Sequence, residues 1–169
     1  MPKSQLVTRY SATVLLTDLL TNAEKTALYV TMPTGKFGRI TDLIVSANGA
    51  TVPGASPFKV EAGIVSSAIG TAPAGGTAIT GTNDAGFAGT ANSSANYDTS
   101  GTAITTNAVH AGSPVIYSQH PQAGPVQAPL GDGIQIGNSA NSEIFAVNIN
   151  VPTADAPTSI SITVVVVEE

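Results

Sequence analysis

Apolar residues recur at every second position through much of this chain, and that spacing leaves little choice of fold. In Leu6, Thr8, Tyr10, Ala12, Val14 and Leu16 the even positions are mostly apolar, with Arg9, Ser11 and Thr13 between them. Leu28, Val30 and Met32 repeat the pattern and stop at Pro33 and Gly35. Phe58, Val60, Ala62 and Ile64 alternate with Lys59, Glu61 and Gly63. Phe145, Val147, Ile149 and Val151 enclose Asn148 and Asn150, and Ile160, Ile162, Val164 and Val166 enclose Ser161 and Thr163. Successive side chains of a strand point to opposite faces, so this period puts one face on a core and the other toward water. Half-buried antiparallel strands carry that signature.

Further strands are expected at Arg39–Ala47, Thr102–Val109, Val115–Tyr117, Val126–Ala128 and Ile134–Ile136. Turn formers separate the runs: Asn48-Gly49, Pro53-Gly54, Gly112-Ser113-Pro114 and the stretch Pro152 to Pro157. Gly131-Asp132-Gly133 is expected to turn a hairpin into Ile134. Only Thr17 to Thr26 offers a helical turn, starting after Asn22 with Ala23-Glu24-Lys25. Eight to ten short strands with almost no helix predict an all-β chain, a single antiparallel β-sandwich of jelly-roll type over residues 1–169. The immunoglobulin signature of paired Cys around a Trp is missing, because the chain has neither residue.

At 169 residues the chain has the length of one domain and can enclose a core. Aromatics make up only 5%, so that core must be built from Val, Ile, Leu and Ala. Charged residues make up 10%, which leaves the surface poorly protected against association and points to subunit contacts. Disulfides and thiolate metal sites are excluded by the lack of Cys. Met1-Pro2-Lys3-Ser4-Gln5 is followed by no apolar signal region, and no window approaches a membrane span, so a soluble protein made in the cytosol is expected.

Charge divides along the chain. Lys3, Arg9, Lys25, Lys36, Arg39 and Lys59 are all the basic residues; with Asp18, Glu24 and Asp42 they give the first 59 positions a net +3. The remainder holds Glu61, Asp84, Asp98, Asp132, Glu143, Asp155, Glu168 and Glu169 without a cation, a net −8. Either each half faces a different partner, with Met1 to Lys59 toward an anionic one, or a handful of charges cluster by chance. Lys3 and Arg9 are too sparse for a nucleic-acid arm.

Two stretches break the alternation. From Ser67 to Gly101, 28 of 35 residues are Ala, Gly, Ser, Thr or Asn, which makes this a long ordered loop at a subunit contact or an outer tip, anchored by Phe87 and Tyr97. Val164-Val165-Val166-Val167 is apolar on both parities and ends at Glu168-Glu169. Such a strand is either central in the core or covered by a neighbouring subunit, and the two Glu would act as gatekeepers against edge pairing.

Residues able to do chemistry are few. His110 and His120 flank turns without metal-ligand spacing, and no Gly-x-Ser-x-Gly elbow is present. Asp84, Asp98 and Asp132 do not have the spacing of a calcium loop. Gly131, Gly133 and Gly137 do not fit a dinucleotide fingerprint. No catalytic set, cofactor or metal is therefore expected. A carbohydrate-binding module or adhesin is the alternative, with Tyr10, Tyr29, Tyr97 and Tyr117 as the aromatic faces on which sugars could stack. A hydrolase would need His110 or His120 to meet acidic residues in space.

Three further stretches carry a family likeness: Thr13-Val14-Leu15-Leu16 with Tyr29 to Gly35 and Gly38 to Leu43; Gly124 to Gly133; and the closing pair Phe145–Val151 and Ile160–Val167. On these the chain resembles the small β-sandwich or jelly-roll decoration (cement) proteins of tailed bacteriophages. The resemblance implies a virion structural protein on the capsid exterior that stabilises the head, with the major capsid protein as partner. It also implies a homo-oligomer, a trimer above all, with no enzymatic activity and no nucleic-acid or membrane partner. An N-terminal arm over residues 1–9 would grip the shell. The expected contact residues are Lys3, Arg9, Lys36, Arg39, Phe87, Tyr97, Val165 and Val167.

Overall fold

The computed structural model describes residues 8–16, 24–48, 58–65, 77–79, 82–83, 91, 93–97, 115–119, 126–137, 139–140, 142–151 and 159–168. They form eleven strands and no helix: β1 Thr8–Leu16, β2 Glu24–Met32, β3 Gly38–Asn48, β4 Phe58–Val65, β5 Thr77–Ile79, β6 Thr82–Asn83, β7 Ser94–Tyr97, β8 Val115–Gln119, β9 Val126–Ile136, β10 Glu143–Asn150 and β11 Ser159–Glu168. One sheet has the order β6-β1-β11-β3-β9 and the other β5-β7-β2-β10-β4-β8, with every pairing antiparallel.

The order follows from one long hairpin rolled up on itself. Thr8 lies opposite Glu168, Met32 opposite Glu143, Gly38 opposite Ile136 and Phe58 opposite Gln119. The chain thus pairs its first half with its second, strand by strand, and alternate pairs fall in opposite sheets. Rolling brings β11 against β3 and β10 against β4. With β5, β6 and β7 set aside, four strands remain in each sheet in the order of a jelly roll.

The alternation places the core as expected. Tyr10, Ala12, Val14 and Leu16 of β1 point inward, while Thr13 and Leu15 are exposed. Ile160, Ile162, Val164 and Val166 meet Leu28, Val30, Met32, Phe145 and Val147 across the sandwich in one continuous cluster. Phe145 is fully buried at its centre, so truncation to Ala would remove about 3–5 kcal/mol.

Four sequence expectations change. Glu24 to Thr26 begin β2 and are not helical, while 17–23 lie outside the described residues. Val126–Ala128 and Ile134–Ile136 belong to one strand, β9, and Gly131-Asp132-Gly133 is not a hairpin turn. Opposite it the β3 register moves from Ile40 to Asp42 while β9 moves from Ile134 to Pro129, so 130–133 bulge out opposite Thr41. The Ser67–Gly101 stretch supplies three short strands: β6 extends one sheet beyond β1, and β5 and β7 extend the other beyond β2. Finally, β11 is no edge. It lies between β1 and β3, and Glu168 is buried, so no gatekeeper is needed there and the central-strand reading holds. The expected strand at Thr102–Val109 lies outside the described residues.

Bulges adjust inner and outer faces where the alternation slips. Between Val147 and Asn148 the β2–β10 register shifts, so Ala27 is the extra residue and remains in the core. Thr26 and Asn148 then face each other outward, and the Thr26 hydroxyl donates to Asn148 Oδ1 at 2.8 Å. A similar shift separates Val165 from Val166 opposite β3.

After β9 the chain turns sharply at Gly137, whose φ is +129°. A Cβ there would stand 2.2 Å from the Lys36 carbonyl oxygen and 2.8 Å from Phe37 Cα. Gly133, φ +88° in the bulge, has milder limits at 3.1 and 3.2 Å. Urea unfolding should therefore rank the substitutions, with Gly137→Ala costing about 2–3 kcal/mol and Gly133→Ala clearly less. Equal losses would mean that φ alone, and not the close approach of 36–37, sets the requirement.

Candidate functional site

The two sheets differ in what covers their outer faces. On the β2–β10 part of one sheet the outward residues Thr26, Tyr29, Ile144, Ala146 and Asn148 are buried within the chain, and Tyr29, Ile144 and Ala146 form a second apolar cluster, while Lys59 on neighbouring β4 is exposed. On the other sheet the outward side chains of β1, β11 and β3 remain accessible to differing degrees, from exposed Leu15 and Thr13 to nearly covered Val165. This accessible face is the candidate site.

Register sets its four rows. Leu15 stands beside Ser161 and Ser46; Thr13 beside Thr163 and Ile44; Ser11 beside Val165 and Asp42; and Arg9 beside Val167 and Arg39. Thr13 and Thr163 are joined hydroxyl to hydroxyl at 2.8 Å. The first two rows carry no charge, so one half of the face is hydroxyl and aliphatic. Charge gathers at the other end: Arg9 and Arg39 flank Val167, and Asp42 accepts from Thr41 at 3.0 Å. Arg39 Nη1 also donates to the Asp132 carbonyl at 3.1 Å, which ties the β9 bulge to this end.

Four of the expected contact residues, Arg9, Arg39, Val165 and Val167, thus converge on one surface although they are distant in sequence. Lys36 lies just beyond, in the exposed 33–37 turn closed by its N–H to the Pro33 carbonyl at 3.1 Å, beside half-exposed Phe37. Tyr97 is placed elsewhere, in β7 opposite Thr77. Lys3 and Phe87 lie outside the described residues, as do His110, His120, Asp84 and Asp98. Arg9 is not part of an arm: it is a β1 residue paired with Val167, and 1–7 lie outside the described residues. Tyr10 and Tyr29 are buried, so neither offers a ring for a sugar to stack on.

Sequence reasoning missed one polar cluster. Ser93, just before β7, donates its N–H and its hydroxyl to Glu168 Oε1 at 2.7 and 2.5 Å. The same hydroxyl is hydrogen-bonded to the Tyr10 phenol. Tyr10 and Glu168 belong to one sheet and β7 to the other, so the three residues stitch the sandwich along one edge. A second buried carboxylate, Glu143, accepts the Gly137 N–H at 2.8 Å and holds the start of β10 to the end of β9. Nothing local in the sequence marks Ser93 as Glu168's partner, because they are 75 positions apart.

Burial pushes the Tyr10 phenol up to about 12; the Ser93 hydrogen bond opposes this rise and the negative charge of Glu168 adds to it. The folded value lies above the unfolded value near 10, so its contribution to stability is complete below about pH 10 and is lost as pH rises toward 12. Tyr10→Phe should therefore remove about 2 kcal/mol from the alkaline decline in unfolding free energy between pH 10 and 12. Parallel stability profiles for the two proteins over that range would show that Tyr10 titrates normally.

No protein-family model matches this chain, and no curated protein sequence matches it.

Proposed function

We propose that the chain is a virion structural protein, a decoration subunit that binds the major capsid protein and stabilises a phage head from outside. The observation that carries this reading is the contrast between the two sheets: in one, the outward residues of β2 and β10 are largely buried within the chain, and in the other the outward face of β1, β11 and β3 is accessible and mostly uncharged. A surface of that kind suits broad contact, in which an aliphatic and hydroxyl region is desolvated while the charges of Arg9, Arg39 and Asp42 lie toward one end. Arg9 and Arg39 at one end would fix its orientation on a shell surface bearing carboxylates.

The sugar-binding alternative loses support, since two of its four tyrosines are buried. The cement reading also accommodates the low charge of the whole chain, which suits subunits that remain assembled.

Shells assembled from the major capsid protein encoded on the same genome provide the test. Added protein should bind them saturably, at a fixed ratio to shell subunits, and raise their melting temperature by several degrees. A genome without a major capsid protein, or shells whose melting is unchanged by saturating protein, would sink the reading.

A further inference from the structure

We draw no further inference here: the strongest candidate, the buried Tyr10–Ser93–Glu168 side-chain cluster that ties the start of β7 to β1 and β11, belongs to the packing already described, and nothing in the structure shows a ligand or a second arrangement that it would serve.

Discussion

One of the two sheets is held together by where β11 goes. It is hydrogen-bonded to β1 on one side and β3 on the other, and without it one sheet separates into β6–β1 and β3–β9. Its inward residues Ile160, Ile162, Val164 and Val166 are fully buried, so hydrogen bonding and apolar burial both hold it there. The partners of β11 come from the first 48 residues, which makes the closing contacts among the longest in sequence. Loop-closure entropy opposes contacts of such sequence separation, which places this fold among the slow-folding topologies. The double-sided apolar run at Val164–Val167 answers that position: an interior strand carrying a bulge benefits from residues that suit either face.

The same rolled hairpin changes the meaning of the charge division. Along the sequence, cations precede an acidic remainder; in space, β1, β2 and β3 of the basic part each lie between strands of the remainder. In the β1–β11–β3–β9 sheet, first-half and second-half strands follow one another in turn. The basic half therefore has no face of its own. Arg9 and Arg39 meet at one end of one outer face, while Lys59 pairs with Glu61 at 2.7 Å on the other sheet. Buried Glu168 and Glu143 serve as acceptors for Ser93 and Gly137, so part of the acidic excess is consumed by internal hydrogen bonding and is not displayed to a partner.

What could be read from the sequence was the inside. Period two named the inward residues of β1, β4, β10 and β11 because burial on one face is recorded locally, residue by residue. Strand pairing is not recorded that way. Gly131-Asp132-Gly133 has the composition of a turn, yet in place it forms a bulge whose register is set by β3, 90 residues earlier in the chain. The three short strands in the Ala/Gly/Ser/Thr-rich stretch lack an alternation of their own, since neighbouring edges supply their ladder. The accessible face was half legible: Arg9, Arg39, Val165 and Val167 could each be singled out, but only register shows that they form two adjoining rows.

The insertion between β4 and β8 attaches at one edge of each sheet. Its strands join β1 and β2, the neighbouring edges of the two sheets, and Ser93 fastens that junction to Tyr10 and Glu168. An edge that would otherwise present unpaired N–H and C=O groups near Tyr10, Ser11 and Tyr29–Thr31 is thereby occupied from within the chain. Association by strand addition is blocked along that part of the sandwich. The accessible β1–β11–β3 face has no such closure, and its central strand is already saturated on both sides. Contact there must therefore use side chains rather than backbone ladders. What this sheet offers for contact is a face of leucine, serine, threonine, valine and isoleucine side chains, with Arg9, Arg39 and Asp42 toward one end.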